Sequence, residues 1–243
     1  MRPEVVMTSA FSRYAVYAVP DPASQLFQRA SRWLGWDSAA AAMTQFPERH
    51  ELDNPRALDI ETVTRTPRKY GFHGTIKPPM RLAEGYDEAT LIVRARELAS
   101  TLAPVTIPSL EIAAIGSFLA LVPTEPNAGL ADLAGGIVTG LDEFRRPPNK
   151  AEMDKRRAAG LSARQDELLR EWGYPYVLDE FRFHMTLSDR LEADRKSMAL
   201  AMLETWIAPV VPAPFILDRL AIMGEANDGR FRLVGWVPLG SCK

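Results

Sequence analysis

The chain has 243 residues, 47% of them hydrophobic, and its 29 Lys and Arg nearly balance its 31 Asp and Glu. That is enough to bury one large core or two small lobes, while the charge balance excludes a global basic field and leaves only a local patch to serve a nucleic-acid partner. The single Cys242 excludes an intrachain disulfide and a zinc site built on cysteines; with no apolar leader after Met1 and no run as long as a membrane span, a cytoplasmic protein without membrane contact is expected.

In chain order, Arg13 to Val19 alternates as a first strand and stops at Pro20. Asp21-Pro22 then reads as an N-cap with Pro at the first helical position, opening a helix to Leu34 that Gly35 ends. The segment 37–68 is read as loop with one short helix. Tyr70 to Lys77 alternates as a strand ended by Pro78-Pro79. Leu91, Ala95, Leu98 and Leu102 mark an amphipathic helix. Two strands follow, Val105–Ile115 and Phe118–Val122, turned at Gly116-Ser117. Leu130–Phe144 suits a helix; Asn149-x-x-Glu152 and Ser162-x-x-Gln165 are capping boxes opening two more, stopped by Gly160 and Gly173. Phe181 to Ser188 alternates as another strand. Met198, Met202 and Trp206 mark a helix, and the strands Phe215–Met223 and Arg230–Val237 turn around Asn227-Asp228-Gly229.

Two passages therefore repeat one order: strand, helix, Ala-Pro-Val, strand, turn, strand, Val-Pro. Ala103-Pro104-Val105 matches Ala208-Pro209-Val210, and Val122-Pro123 matches Val237-Pro238. The repeat predicts a single domain over 1–243, with one lobe at about 60–123, a helical insertion at about 124–176 and a second lobe at about 177–238. The insertion holds Arg145, Arg146, Lys150, Lys155, Arg156, Arg157 and Arg164. A solvated hairpin bracing the lobes outweighs a lid over an anionic ligand.

Each repeat opens on the same words, Phe72-His73-Gly74-Thr75-Ile76 and Phe183-His184-Met185-Thr186-Leu187. By strand parity His73, Thr75 and Lys77 share a face, as do Arg182, His184, Thr186 and Ser188, and the Phe and aliphatic residues point into a core. Imidazole titrates near neutrality, so one copy can be base and the other acid. Threonine hydroxyls beside them can hold the non-bridging oxygens of a phosphodiester, and Lys77 and Arg182 can add charge. Tyr14, Tyr17, Tyr70, Tyr174 and Tyr176 are candidates to line the pocket, although Tyr beside strands is more often core or rim. His50 is read as structural. No H-x-H, H-x-x-E-H or H-E-x-x-H pattern supplies a metal site, no G-x-S-x-G elbow activates Ser188 and no glycine-rich phosphate loop is present.

These paired motifs make the chain resemble the two-histidine phosphoesterase superfamily, with the bilobal fold of bacterial cyclic phosphodiesterases. The flanking blocks Arg68-Lys69-Tyr70-Gly71, Arg156-Arg157-Ala158-Ala159-Gly160-Leu161, Trp172-Gly173-Tyr174-Pro175-Tyr176 and Glu180-Phe181-Arg182 resemble a branch of unassigned activity whose genes accompany phosphonate degradation. The resemblance implies an α+β fold in which two antiparallel-rich sheets face a central cleft, with outer helices and the helical insertion. It also implies metal-independent and cofactor-free cleavage of a small cyclic phosphodiester, 2′,3′-cyclic or ribosyl, as the phosphorylated substrate. His73 and His184 would be base and acid and Thr75 and Thr186 phosphate donors; beside the resemblance, Lys77, Arg182, Tyr17, Tyr70, Arg156 and Tyr174 are the candidate substrate contacts. Gly74 departs from the pattern, where a side chain is common. The rival expectations are an RNA end-processing enzyme of the same chemistry and a silent module that binds a phosphometabolite or a protein.

Overall fold

A computed structural model describes residues 11–52 and 58–240; Met1, Pro55 and Cys242 lie outside them. The elements in order are β1 (Tyr14–Ala18), α1 (Gln25–Leu34), β2 (Trp36–Asp37), β3 (Ala42–Met43), α2 (Ile60–Val63), α3 (Arg65–Arg68), β4 (Gly74–Met80), α4 (Glu88–Ala99), β5 (Val105–Ile107), β6 (Leu110–Ile115), β7 (Phe118–Pro123), α5 (Ala128–Gly140), α6 (Lys150–Arg157), α7 (Ala163–Trp172), β8 (Met185–Thr186), α8 (Ala193–Trp206), β9 (Phe215–Leu217), β10 (Arg219–Glu225) and β11 (Phe231–Pro238). The class is α+β, as expected.

Local chemistry accounts for most boundaries and for the shifts in some. The first helix begins later than Asp21-Pro22 suggests: Asp21 accepts from the Ala23 amide in a preceding turn, and the cap is Ser24, whose hydroxyl accepts from the Phe27 amide. Gly35 closes it with φ of 77°. The capping boxes at Asn149 and Ser162 are both formed, and Gly173 ends α7 in the left-handed region. The two long strands expected after the central helices are each cut in two, at Pro108 and at Asp218, and the freed pieces β5 and β9 pair with each other as a separate ribbon. Among the described residues, segment 37–68 holds a β2–β3 hairpin, a 3-10 turn at Arg49–Glu51 and two short α-helices where one short helix was expected.

Seven strands form one antiparallel sheet in the order β11-β10-β1-β4-β8-β7-β6. Its two parts, expected as facing sheets, meet edge to edge through a single bridged pair, Gly74 with Met185. The hairpin that follows each histidine motif in sequence does not join that motif's own part: β6–β7 extends from β8, and β10–β11 extends from β1 and β4. The parts of the sheet are thus woven from both repeats and do not coincide with the segments 60–123 and 177–238.

The strand β4 continues through Pro78-Pro79, where an end was expected. Pairing with β1 runs Thr75 to Tyr17, Lys77 to Val16 and Met80 to Tyr14, so a bulge sits on either side of Val16. Bulges tolerate residues without an N–H, and beyond Gly74 this strand has no bridged partner on its other side. The first bulge also breaks the parity that placed Lys77 beside Thr75. Ile76 and Lys77 are both buried, and Lys77 pairs with Val16, on the core side.

That core lies between the sheet and α1, α4, α5 and α8, and takes Phe72, Ile76, Phe183, Met185 and Leu187 from the two motifs. Helix α5 belongs to it through Leu130, Leu133, Ala134 and Ile137, so the insertion is in part a structural layer. Gly74 has no room for a side chain: a Cβ would stand 2.5 Å from the Phe183 ring. We expect Gly74→Val to lower stability by about 1–3 kcal/mol, the usual cost of overpacking, read as a fall in Tm; an unchanged Tm would show that the two motifs are not in this contact.

Candidate active site

The site follows from one register. Because β4 and β8 are antiparallel and Gly74 faces Met185, one step either way sets His73 opposite Thr186 and Thr75 opposite His184. Gly74 and Met185 turn into the core, so the four polar side chains turn to the other face. Residues facing each other on adjacent strands lie about 4.5–5.5 Å apart at Cα, which is the scale of one phosphate group and its ligands.

Both histidines are held alike. His73 Nδ1 donates to the Gly71 carbonyl at 2.9 Å and His184 Nδ1 to the Arg182 carbonyl at 2.8 Å, each two residues back. A carbonyl can only accept, so Nδ1 carries the proton and Nε2 is the reactive nitrogen in both rings. His73 Nε2 lies 3.2 Å from the Thr75 hydroxyl. Gly71 reaches its position through φ of 72°, a conformation that suits glycine, and a Cβ there would lie 2.5 Å from Ser38 Oγ.

The turn that carries His73 is anchored by Arg68. Its buried guanidinium donates to the Leu34 carbonyl at 2.8 Å, the Glu61 carbonyl at 2.6 Å and the Thr64 hydroxyl at 3.0 Å, tying α1, α2 and α3 together. On the other motif, Ser188 accepts from the Leu119 amide at 2.9 Å and donates to the Asp189 carbonyl at 2.8 Å. Its hydroxyl is therefore occupied in holding β8 to β7. Asp189 in turn accepts from the Thr66 amide at 3.1 Å, which fastens the end of one motif to the approach of the other.

A cavity of about 390 Å³ opens over this face and is lined by His73, Thr75, Thr186, Tyr17, Tyr70, Arg156 and Tyr174. His184 stands beside it against the lining residue Phe118, ring centroids 5.8 Å apart. The Tyr17 ring stacks on His73 at 3.7 Å and 21°, and Tyr70 stacks on Phe231 at 5.1 Å. Arg156 lies 4.6 Å over the Tyr174 ring, bringing one cation of the insertion to the cavity wall. Burial pushes the His73 pKa down to about 4, the Gly71 carbonyl opposing and the charge of His184 adding to the shift. Burial likewise pushes the Tyr17 and Tyr174 hydroxyls up, the latter against the pull of Arg156.

Other expected contacts fall elsewhere. Lys77 donates to the Val138 carbonyl at 2.8 Å near the end of α5 and lies 3.7 Å from Asp142; burial lowers its pKa to about 8, with Asp142 opposing. Its place in the site is corrected: the bulge turned it inward. Arg182 is exposed, does not line the cavity, and contributes its main-chain carbonyl. Tyr14 is buried on the core face, donating to Glu88 at 2.9 Å, and Tyr176 is exposed. His50 is exposed beside Glu48. Arg13, Phe118, Asp189 and Arg190 line the cavity without having been singled out. Of these only Arg13 carried a signal, sharing strand parity with Tyr17. Among the described residues no three His, Cys, Asp or Glu side chains converge as a metal site, and no helix is long and apolar enough to cross a membrane.

Two outcomes follow from this geometry. The His73 imidazole, followed by NMR, is expected to titrate near pH 4 and to move toward the ordinary value of about 6.5 in Tyr17→Ala, where water reaches the ring; a wild-type midpoint at 6.5 would refute its burial. Lys77→Met is expected to keep activity within about threefold and stability within about 1 kcal/mol, since Asp142 retains its two bonds to Arg145 at 2.7 and 2.9 Å. Loss of turnover in a folded Lys77→Met protein would return Lys77 to the site.

Comparison with known proteins finds relatives of the chain. The family described as a protein of unknown function, DUF1045, matches residues 75–232. A Janthinobacterium sp. (strain Marseille) protein named ribose 1,5-bisphosphate phosphokinase PhnN is 36% identical over 228 residues, 92% of this chain and 50% of that protein. A Laribacter hongkongensis (strain HLHK9) protein of the same name is 37% identical over 180 residues, 74% of this chain and 40% of that one. The chain thus spans about half the length, or less, of these curated relatives. Among solved structures, E. coli LigT complexed with NADP+ aligns over 96% of this chain and 99% of its own at a TM-score of 0.45 and 12% identity, and LigT complexed with phosphate over the same shares at 0.43 and 16%. The family match covers well over half of the chain and includes Thr75, His184 and Thr186, and the chain belongs to the DUF1045 family.

Proposed function

We propose that the chain is a phosphoesterase that opens a small cyclic phosphodiester by general acid–base catalysis between His73 and His184, without a metal. The observation that carries this reading is the cross-strand register, which sets two His-x-Thr units head to tail on one face beside a cavity. A ribosyl cyclic phosphate suits it, and the names of the curated relatives, which concern ribose phosphates, support that substrate class.

The different surroundings of the two rings favour one allotment of roles. With its pKa near 4, His73 is neutral at pH 7 but for about one molecule in a thousand, which suits a base and disqualifies it as the proton donor. His73 Nε2 takes a proton from water as the water oxygen bonds to phosphorus. The ring P–O bond breaks, and the Nε2 proton of His184 goes to the departing oxygen. Thr75, whose hydroxyl rests against His73 until substrate arrives, and Thr186 donate to the non-bridging oxygens as charge grows there. Tyr17 covers one face of the base and keeps it fixed through its stacked ring.

The test is incubation with a panel of cyclic phosphodiesters, with and without chelator, following ring opening by phosphorus resonance. Turnover is expected to survive chelation; to fall about a hundredfold or more in His73→Ala and in His184→Ala; and to fall about ten- to a hundredfold in Thr75→Val or Thr186→Val. The kcat/KM profile is expected to be bell-shaped. Its acid limb lies near pH 4, where His73 becomes protonated. Turnover by the double histidine variant, or its complete loss on chelation, would contradict the reading.

A further inference from the structure

A second and larger cavity, of about 630 Å³, adjoins the first: Arg13, Pro79 and Arg156 line both. Six basic side chains face it, Arg13, Arg81, Arg145, Arg146, Lys155 and Arg156, against one carboxylate, Glu152. Three are already matched. Arg13 makes two 2.6 Å bonds to Glu225, Arg81 is paired with Glu152, and Arg145 is paired with Asp142. The other three, Arg146, Lys155 and Arg156, have no carboxylate within 4 Å among the described residues.

The backbone that carries the unmatched cations is fixed. The Arg146 amide donates to the Arg81 carbonyl at 2.8 Å and Leu82 bridges to Arg145, pinning this loop to the end of β4. Lys155 and Arg156 stand on the last turn of α6, whose first turn is closed by the Asn149–Glu152 capping box. Like charges gathered in a concavity repel, and an anion entering there relieves that repulsion. Guanidinium groups suit phosphate oxygens in particular.

We propose that this cavity is a second phosphate subsite, so that the substrate is a small molecule bearing a terminal phosphate as well as the cyclic diester. The inference rests on the phosphoesterase reading for the identity of the first subsite. Arg13 and Arg156, at the shared wall, lie between the two anionic groups of one bound molecule. This differs from a groove for a polynucleotide, in which successive phosphates would need a continuous track.

Two arms test it. The first compares kcat/KM for uridine 2′,3′-cyclic phosphate with that for its 5′-phosphorylated form. The wild type is expected to prefer the phosphorylated form by about ten- to a hundredfold, and the ratio to collapse toward one in Arg146→Ala/Lys155→Ala and to recover in part in Arg146→Lys/Lys155→Arg. A wild-type ratio near one, a ratio untouched by the double variant, or stronger turnover of an oligonucleotide with a 2′,3′-cyclic end overturns the subsite while leaving the phosphoesterase reading intact. The second arm needs no turnover. Inorganic phosphate titrated into the full chain is expected to fill two sites, one lost in the double variant and the other in Thr75→Val/Thr186→Val. A single site indifferent to the double variant overturns the inference; two sites without ring opening of any diester support it and sink the phosphoesterase reading instead.

Discussion

One backbone bridge, Gly74 to Met185, decides what this molecule can do. It is the only pairing between β4 and β8, and it converts two motifs 111 positions apart into a single face on which each imidazole is opposite the other motif's hydroxyl. The bridge is possible because position 74 lacks a Cβ: the Phe183 ring of the second motif fills that space. The departure from the family pattern at Gly74 is therefore a packing solution. The aromatic residue of one motif occupies the volume vacated in the other, and the pair brings the strands within hydrogen-bonding distance between the two histidine motifs.

Around this bridge the structure commits its polar groups to fixing positions. Arg68, Ser188 and Asp189 are all bonded to main-chain groups, and together they hold the approach to His73 and the exit from His184 against each other. Carbonyls two residues upstream fix both tautomers, leaving Nε2 as the reactive atom in each ring. The symmetry stops there. Tyr17 stacks on His73 and burial holds that ring neutral, whereas the ring neighbour of His184 is the tilted Phe118. A duplicated scaffold has thus produced two like side chains with different surroundings, which is the condition for one to accept a proton while the other donates.

Much of this was legible in the residues. Period-two alternation in Phe72–Ile76 and Phe183–Leu187 gave the correct faces for the histidines, threonines and their core neighbours, and the capping boxes of α6 and α7 were readable because local hydrogen bonding decides them. Lys77 was misplaced since parity holds only in an unbroken strand, and the bulge between Tyr17 and Val16 is set by pairing across the sheet. Arg182 was misplaced for a related reason: only Met185–Thr186 is regular strand in that motif. The basic insertion was readable as a run of cations from Arg145 to Arg156, but its meeting with Arg13 and Arg81 to form a cavity was not, because those residues come from segments distant in sequence. The exchange of hairpins between the two parts of the sheet is hidden in the same way, each hairpin being locally correct wherever it docks.

The central claim is that the two Nε2 atoms address one phosphate together, and it can be read directly from nitrogen resonances. With both imidazoles labelled, adding a cyclic phosphodiester analogue that cannot be cleaved should shift both Nε2 signals along a single saturation curve, His73 remaining unprotonated and His184 carrying its Nε2 proton. Movement of only one signal, or of two with unrelated midpoints, would mean that the histidines serve separate sites, and a mechanism shared between them would fail.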